Sequence, residues 1–196
     1  MFYQEITLID QMEVPHNAIW SQMYKKLHIA LVEFKKQEGG VHIGVSFPGY
    51  VYDAESRQEI GSKLRLIAKS EKELEKLNIR KWLSRLTDYL HVSSIKSVPS
   101  EINGYASYGR KQNFNSSYIK RLQRRAISRN NGEESRAHVT YCDLPFIQLE
   151  SYSTSSGESG DRHGFNLYIQ KKVVEANDKF TFSTYGLSSE SAVPEF

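Results

Sequence analysis

The spacing of hydrophobic positions changes several times along the chain, and each change predicts an element. Phe2, Tyr3, Ile6, Leu8 and Ile9 crowd into residues 2–9 and predict a strand. Pro15 then stands where a first helical turn tolerates proline. Beyond it Trp20, Met23, Tyr24, Leu27, Leu31 and Phe34 recur on one face of a helix that Gly39-Gly40 ends. Val41, Ile43, Val45 and Phe47 alternate as in a strand closed by Pro48. Residues 49–62 read as a loop, and Leu64, Leu66 and Ala68 alternate again. Ser70 with Glu73 forms a capping box before Leu74 and Leu77, and Trp82, Leu83, Leu86 and Tyr89 add a further turn or two. His91 to Val98 reads as a strand stopped by Pro99.

The predicted order over residues 1–98 is β-α-β-β-α-β, the ferredoxin-like unit. Residues 99–196 have another texture and are expected to form a second domain. Residues 100–116 are polar with scattered Tyr and Gly, 117–130 have helical period, and 151–164 are rich in Ser and Gly. Phe165–Val174 and Lys179–Tyr185 look strand-like and predict a small sheet. The class is α+β. A ferredoxin-like unit hosts many activities, so fold alone does not name one.

Composition adds limits. With 39% hydrophobic residues in 196, a packed core is within reach and global disorder is not expected. One cysteine, Cys142, allows neither an intrachain disulfide nor a cysteine metal cluster. The start of the chain lacks the basic and apolar regions of a signal peptide. No apolar stretch approaches the ~20 residues that span a bilayer, so a cytoplasmic protein without a membrane partner is expected.

Net charge is only +3, but its distribution is uneven. From Ile102 to Gly132 there is no carboxylate, while Arg110, Lys111, Lys120, Arg121, Arg124, Arg125 and Arg129 all fall there. On a helix Arg121, Arg124, Arg125 and Arg129 share one arc, and Ile119, Leu122 and Ala126 share the next. Ser116 or Ser117 can cap it. Like charges at this spacing repel unless a polyanion neutralises them. Arginine also suits bidentate phosphate and guanine contacts better than lysine does. A solvated basic face or a scaffold for acidic proteins is the plainer alternative.

Several short motifs occur in order: Lys-Leu-His-Ile-Ala-Leu at 26–31, Ile-Gly-Val-Ser-Phe-Pro at 43–48, Gly-Arg-Lys-Gln at 109–112 and Arg-Leu-Gln-Arg-Arg at 121–125. Leu-Pro-Phe-Ile-Gln-Leu at 144–149, Ser-Tyr-Ser-Thr at 151–154, Tyr-Gly-Leu-Ser at 185–188 and a Val-Pro-x-Phe ending follow. Together they resemble the type I-F CRISPR repeat-processing endoribonucleases over nearly the whole chain. The resemblance implies an enzyme that binds the stem-loop of repeat RNA and cuts precursor CRISPR RNA at the 3′ base of the stem. It implies that the hairpin is then kept, with other subunits of a type I-F surveillance complex as partners. It further implies that Arg110 and Gln112 read base edges near the cut, that the four helix arginines lie along the stem, and that Phe165 stacks on a base. The segment between Ser153 and Phe165 is longer than the family pattern. A hairpin-binding subunit without activity is the alternative within the same class.

RNA cleavage without a metal uses the RNA's own 2′-hydroxyl and needs a proton carrier, for which histidine is suited near neutral pH. Of six histidines, His28 lies at the edge of the apolar helix stripe, held by a core yet able to reach substrate. His42 alternates with apolar strand residues and is expected to face outward. The resemblance matches His28 to the catalytic histidine, Ser151 to a serine that fixes the 2′-hydroxyl, and Tyr185 to a tyrosine that orients the histidine. Ser153 and Thr154 are candidates for binding the scissile or an adjacent phosphate. No compact His/Asp/Glu cluster has metal-ligand spacing, and no cofactor is expected.

Overall fold

The computed structural model describes residues 1–53, 55–112, 119, 120, 123, 124, 128, 142–151 and 163–196, and for Ser151 and His163 the backbone only. β1 (Phe2–Leu8) turns Gln4, Ile6 and Leu8 inward. α1 (His16–Glu38) starts after Pro15 and closes at Gly39, whose N–H donates to the Lys35 carbonyl at 2.9 Å. Its buried stripe is Ile19, Trp20, Met23, Tyr24, Leu27, Ala30, Leu31 and Phe34, the face anticipated from the spacing with Ile19 and Ala30 added. β2 (Ile43–Ser46) is buried at every position, not at alternate ones. The C-terminal segment covers its second face so closely that a Cβ on Gly44 would stand 2.5 Å from the Phe182 ring. His42, just before the strand, is exposed, as expected.

Residues 49–62, expected as loop, contain a two-stranded hairpin of β3 (Val51–Asp53) and β4 (Arg57–Glu59), exposed on both sides. Without a buried face it has no apolar alternation to betray it. β5 (Lys63–Ala68) follows, then α2 (Glu71–Leu77) and α3 (Ile79–Trp82). The Ser70–Glu73 capping box is formed, with the Ser70 N–H donating to Glu73 at 3.0 Å. The single strand expected over 91–98 is two, β6 (Leu90–Val92) and β7 (Lys96–Ser97), both paired with β1. Between them the Gln4 amide donates to the Ser93 carbonyl and the Glu5 N–H to Ser93 Oγ, both at 2.9 Å. These side-chain bonds replace part of the ladder.

The first sheet has the order β2-β5-β1-β6, all antiparallel. With α1 and α2 as its crossovers this is the ferredoxin-like arrangement. The second sheet runs β11-β8-β10-β9, from β8 (Gly104–Lys111), β9 (Phe146–Ser151), β10 (His163–Val174) and β11 (Val193–Glu195). β8 lies inside the polar stretch 100–116, where the spacing predicts no element. Ala106, Ser107, Tyr108 and Gly109 are all buried, so small residues covered on both faces stand where alternation would be sought. Conversely, residues 179–185 form no strand. Phe180 and Phe182 are buried, but the neighbouring N–H groups bond to unrelated acceptors: Thr181 to Ser191 Oγ, Phe182 to Val41 and Ser183 to Leu187. One buried cluster joins Ile6, Leu27 and Val45 to Tyr108, Leu167 and Phe182, so both halves of the chain contribute to it.

Candidate active site

His28 emerges from the half-buried edge of α1, one turn after fully buried Tyr24. Both side chains engage the same C-terminal turn. Tyr24 Oη donates to the Tyr185 carbonyl at 2.8 Å, and His28 Nδ1 lies 2.9 Å from the Thr184 carbonyl. A carbonyl only accepts, so Nδ1 carries the hydrogen and the neutral ring keeps its lone pair on Nε2. Burial pushes the Tyr24 phenol far up, which keeps it a donor.

Tyr185 lies flat on the His28 ring, with centroids 4.1 Å apart and planes 8° from parallel. Burial raises its phenol pKa and the nearby Arg110 guanidinium opposes the rise, so the group is neutral at physiological pH. Arg110, at the end of β8, places its guanidinium 5.9 Å from the Tyr185 ring centre and 5.5 Å from that of Phe165 on β10. The result is a column of Phe165, Arg110, Tyr185 and His28, from three elements and the C-terminal turn. Such cation–aromatic contacts contribute about 0.5–1 kcal/mol each at exposed sites.

Other expected residues are placed less fully. Ser151 ends β9, opposite His163 and next to Glu150, whose carboxylate meets Lys25 of α1 at 3.4 Å. Gln112 is exposed just beyond β8. Of the arginine helix, Ile119 is buried while Lys120 and Arg124 are exposed helical positions, and Arg124 Nε donates to the Lys120 carbonyl at 3.4 Å. Arg121, Arg125, Arg129, Ser153 and Thr154, with the caps Ser116 and Ser117, lie outside the described residues. Among the described residues no group of three or more His, Cys, Asp or Glu is placed to share a metal ion. Nor, among them, is any helix long and apolar enough to cross a membrane.

Sequence reasoning missed the two carbonyls of the Thr184–Tyr185 turn and the partner of Tyr24. A main-chain acceptor leaves no trace in residue type. Tyr24 did carry a signal, since it sits four positions before His28 on the same face, but the apolar stripe absorbed it.

Two solved structures resemble the chain remotely. One is a RAMP protein described as binding different RNA substrates, at 15% identity over 99% of both chains with a TM-score of 0.36. The other is a Cas6-related protein from Pyrococcus furiosus, at 11% identity over 99% of this chain and 98% of that one with a TM-score of 0.32. The model of the family "CRISPR-associated protein (Cas_Csy4)" matches residues 3–196, which is nearly the whole chain. The chain therefore belongs to the Cas_Csy4 family, the type I-F CRISPR RNA-processing endoribonucleases.

Proposed function

We propose that this chain is a metal-independent endoribonuclease that binds the stem-loop of CRISPR repeat RNA, cleaves at the 3′ base of the stem and remains on the hairpin. In this reading it is the hairpin-bound subunit of a cytoplasmic type I-F surveillance complex. The observation that carries the proposal is the His28 ring, fixed by the Thr184 carbonyl on one nitrogen and by Tyr185 on one face. A histidine held this way has one defined task left for its free Nε2.

In the proposed reaction Nε2 takes the proton of the 2′-hydroxyl beside the scissile phosphate. The 2′-oxygen bonds to phosphorus, the bond to the 5′-oxygen breaks, and that oxygen takes a proton from water. The products are a 2′,3′-cyclic phosphate, which can open to a 3′-phosphate, and a 5′-hydroxyl. Ser151 holds the attacking hydroxyl and Tyr185 orients His28. Phe165 stacks on a base near the cut, where Arg110 and Gln112 contact base edges and Ser153 a phosphate. Arg121, Arg124, Arg125 and Arg129 follow the stem, so residues 99–196 act mainly as the RNA-gripping part and 1–98 as the support of His28. Positioned proton transfer of this kind contributes about 10²–10⁴ in rate.

The test is a repeat hairpin in which hydrogen replaces the 2′-hydroxyl before the cut. It should bind as the unmodified RNA does and stay intact in EDTA, while the unmodified RNA yields cyclic phosphate and 5′-hydroxyl ends. Cleavage of the deoxy substrate, or 5′-phosphate ends, would overturn the proposal.

A further inference from the structure

α1 and β9 lie side by side, and the strip between them has two ends. At one end are His28 and Ser151. At the other is a cavity of about 850 Å³ between the start of α1, the β3–β4 hairpin and the start of β9. The two ends are separated by about 18 Å along α1, from His16 to His28, at ~1.5 Å per residue. Along β9, from Phe146 to Ser151, the separation is about 17 Å at ~3.4 Å per residue. Between them the Lys25–Glu150 pair bridges helix and strand at 3.4 Å. Nothing in the proposed reaction uses the far end.

The cavity's chemistry is specific. Its floor includes Trp20, which is buried and donates its indole N–H to the Gly61 carbonyl at 2.9 Å. Its rim carries Phe146, 48% exposed and 5.3 Å from the Tyr168 ring, an aromatic face open to solvent. Gln148 and Asn166 stand opposite each other across β9 and β10 and both line the cavity, with Asn17 of α1 beside them. The two charged side chains of its lining, Arg57 and Glu59, are matched to each other at 2.8 Å. A phosphate site needs surplus positive charge, and this cavity has none. An exposed ring beside uncharged amides suits a flat heterocycle with donor and acceptor edges, as in recognition of unpaired bases.

We propose that this cavity binds an unpaired base of the single-stranded RNA flanking the hairpin, a few nucleotides from the scissile phosphate. Phe146 stacks on the base, and the amides of Asn17, Gln148 and Asn166 meet its edge. The inference rests on the reading of the chain as a hairpin-RNA nuclease, and it assigns a second contact beyond the stem and the cut.

The experiment uses repeat hairpins made uncleavable by a 2′-deoxy nucleotide before the cut, with no flank, a 5′ flank only or a 3′ flank only. 2-Aminopurine replaces one flanking base at a time. Binding should quench the fluorophore at one flanking position, and Phe146→Ala should abolish that quenching. The same substitution should weaken binding of that flanked RNA about tenfold, the size of one lost base–aromatic stack, and leave the flankless hairpin unaffected. Gln148→Ala should weaken binding in the same arm only. Equal effects on all three RNAs, or none on any, would overturn the proposal and leave the cavity to another partner. Cleavage of an unmodified hairpin carrying a single nucleotide 3′ of the stem by wild type and His28→Ala, run in parallel, reports on the nuclease reading alone.

Discussion

The imidazole of His28 is constrained from two directions that do different work. The Thr184 carbonyl selects the tautomer, and the Tyr185 ring selects the plane. The contact between Tyr185 and His28 is ring on ring. Tyr185→Phe should therefore cleave repeat RNA at close to the wild-type rate. Tyr185→Ala should lose about 2- to 13-fold in single-turnover rate, the equivalent of the ~0.5–1.5 kcal/mol that such ring pairs contribute. Equal losses in the two variants would show that the hydroxyl carries the role. Arg110 is a second residue with two faces: its guanidinium rests on Phe165 and Tyr185, so the group proposed to meet a base near the cut also packs against the residue that steadies His28.

Among the elements, α1 and the turn at 184–186 form the working pair. Tyr24 and His28, one helical turn apart, bond to consecutive carbonyls of that turn. The turn depends on Gly186, which has φ +71 and whose added Cβ would stand 2.6 Å from Val45 Cγ1. Gly186→Ala should cost at least about 1–3 kcal/mol from the backbone conformation alone. Urea unfolding measures it; an unchanged midpoint would mean that the turn relaxes freely. The same elements show what was legible beforehand. α1 was legible because eight buried positions repeat at helical spacing. His28 was legible as the polar residue at the edge of that stripe. β8 was not, because Ser107 and Gly109 are as buried as Ala106 and Tyr108, and a strand covered on both faces by small residues has no periodic signature. The run at 179–185 misled in the opposite way: Phe180 and Phe182 alternate inward, but their backbone finds separate partners and not a neighbouring strand. The ring column could not be foreseen as a whole, since Arg110, Phe165 and Tyr185 come from distant parts of the chain and meet His28 only through the packing of two sheets.

Across the whole molecule, the two sheets share one core and a polar hub. Glu195 accepts from Ser46 at 2.8 Å and from Tyr108 at 3.0 Å and pairs with Lys171, joining β2, β8, β10 and β11. The second sheet carries Arg110 and Phe165, which reach His28 of α1 through the Tyr185 ring. The uneven charge has the same logic: the carboxylate-free residues 102–132 run on in sequence from Arg110 and Lys111 of β8 to the arginine-rich segment proposed to hold the hairpin. On this account His28 does chemistry without gripping the stem, so cutting can be removed by substitution while binding stays. The most direct measurement is cleavage of a labelled repeat hairpin in EDTA by wild type and by His28→Ala, each at saturating protein, with hairpin affinity measured alongside. Wild type should cut the RNA, and His28→Ala should bind equally well while its rate falls by about 10²–10⁴. Cleavage by His28→Ala at near the wild-type rate would contradict the account.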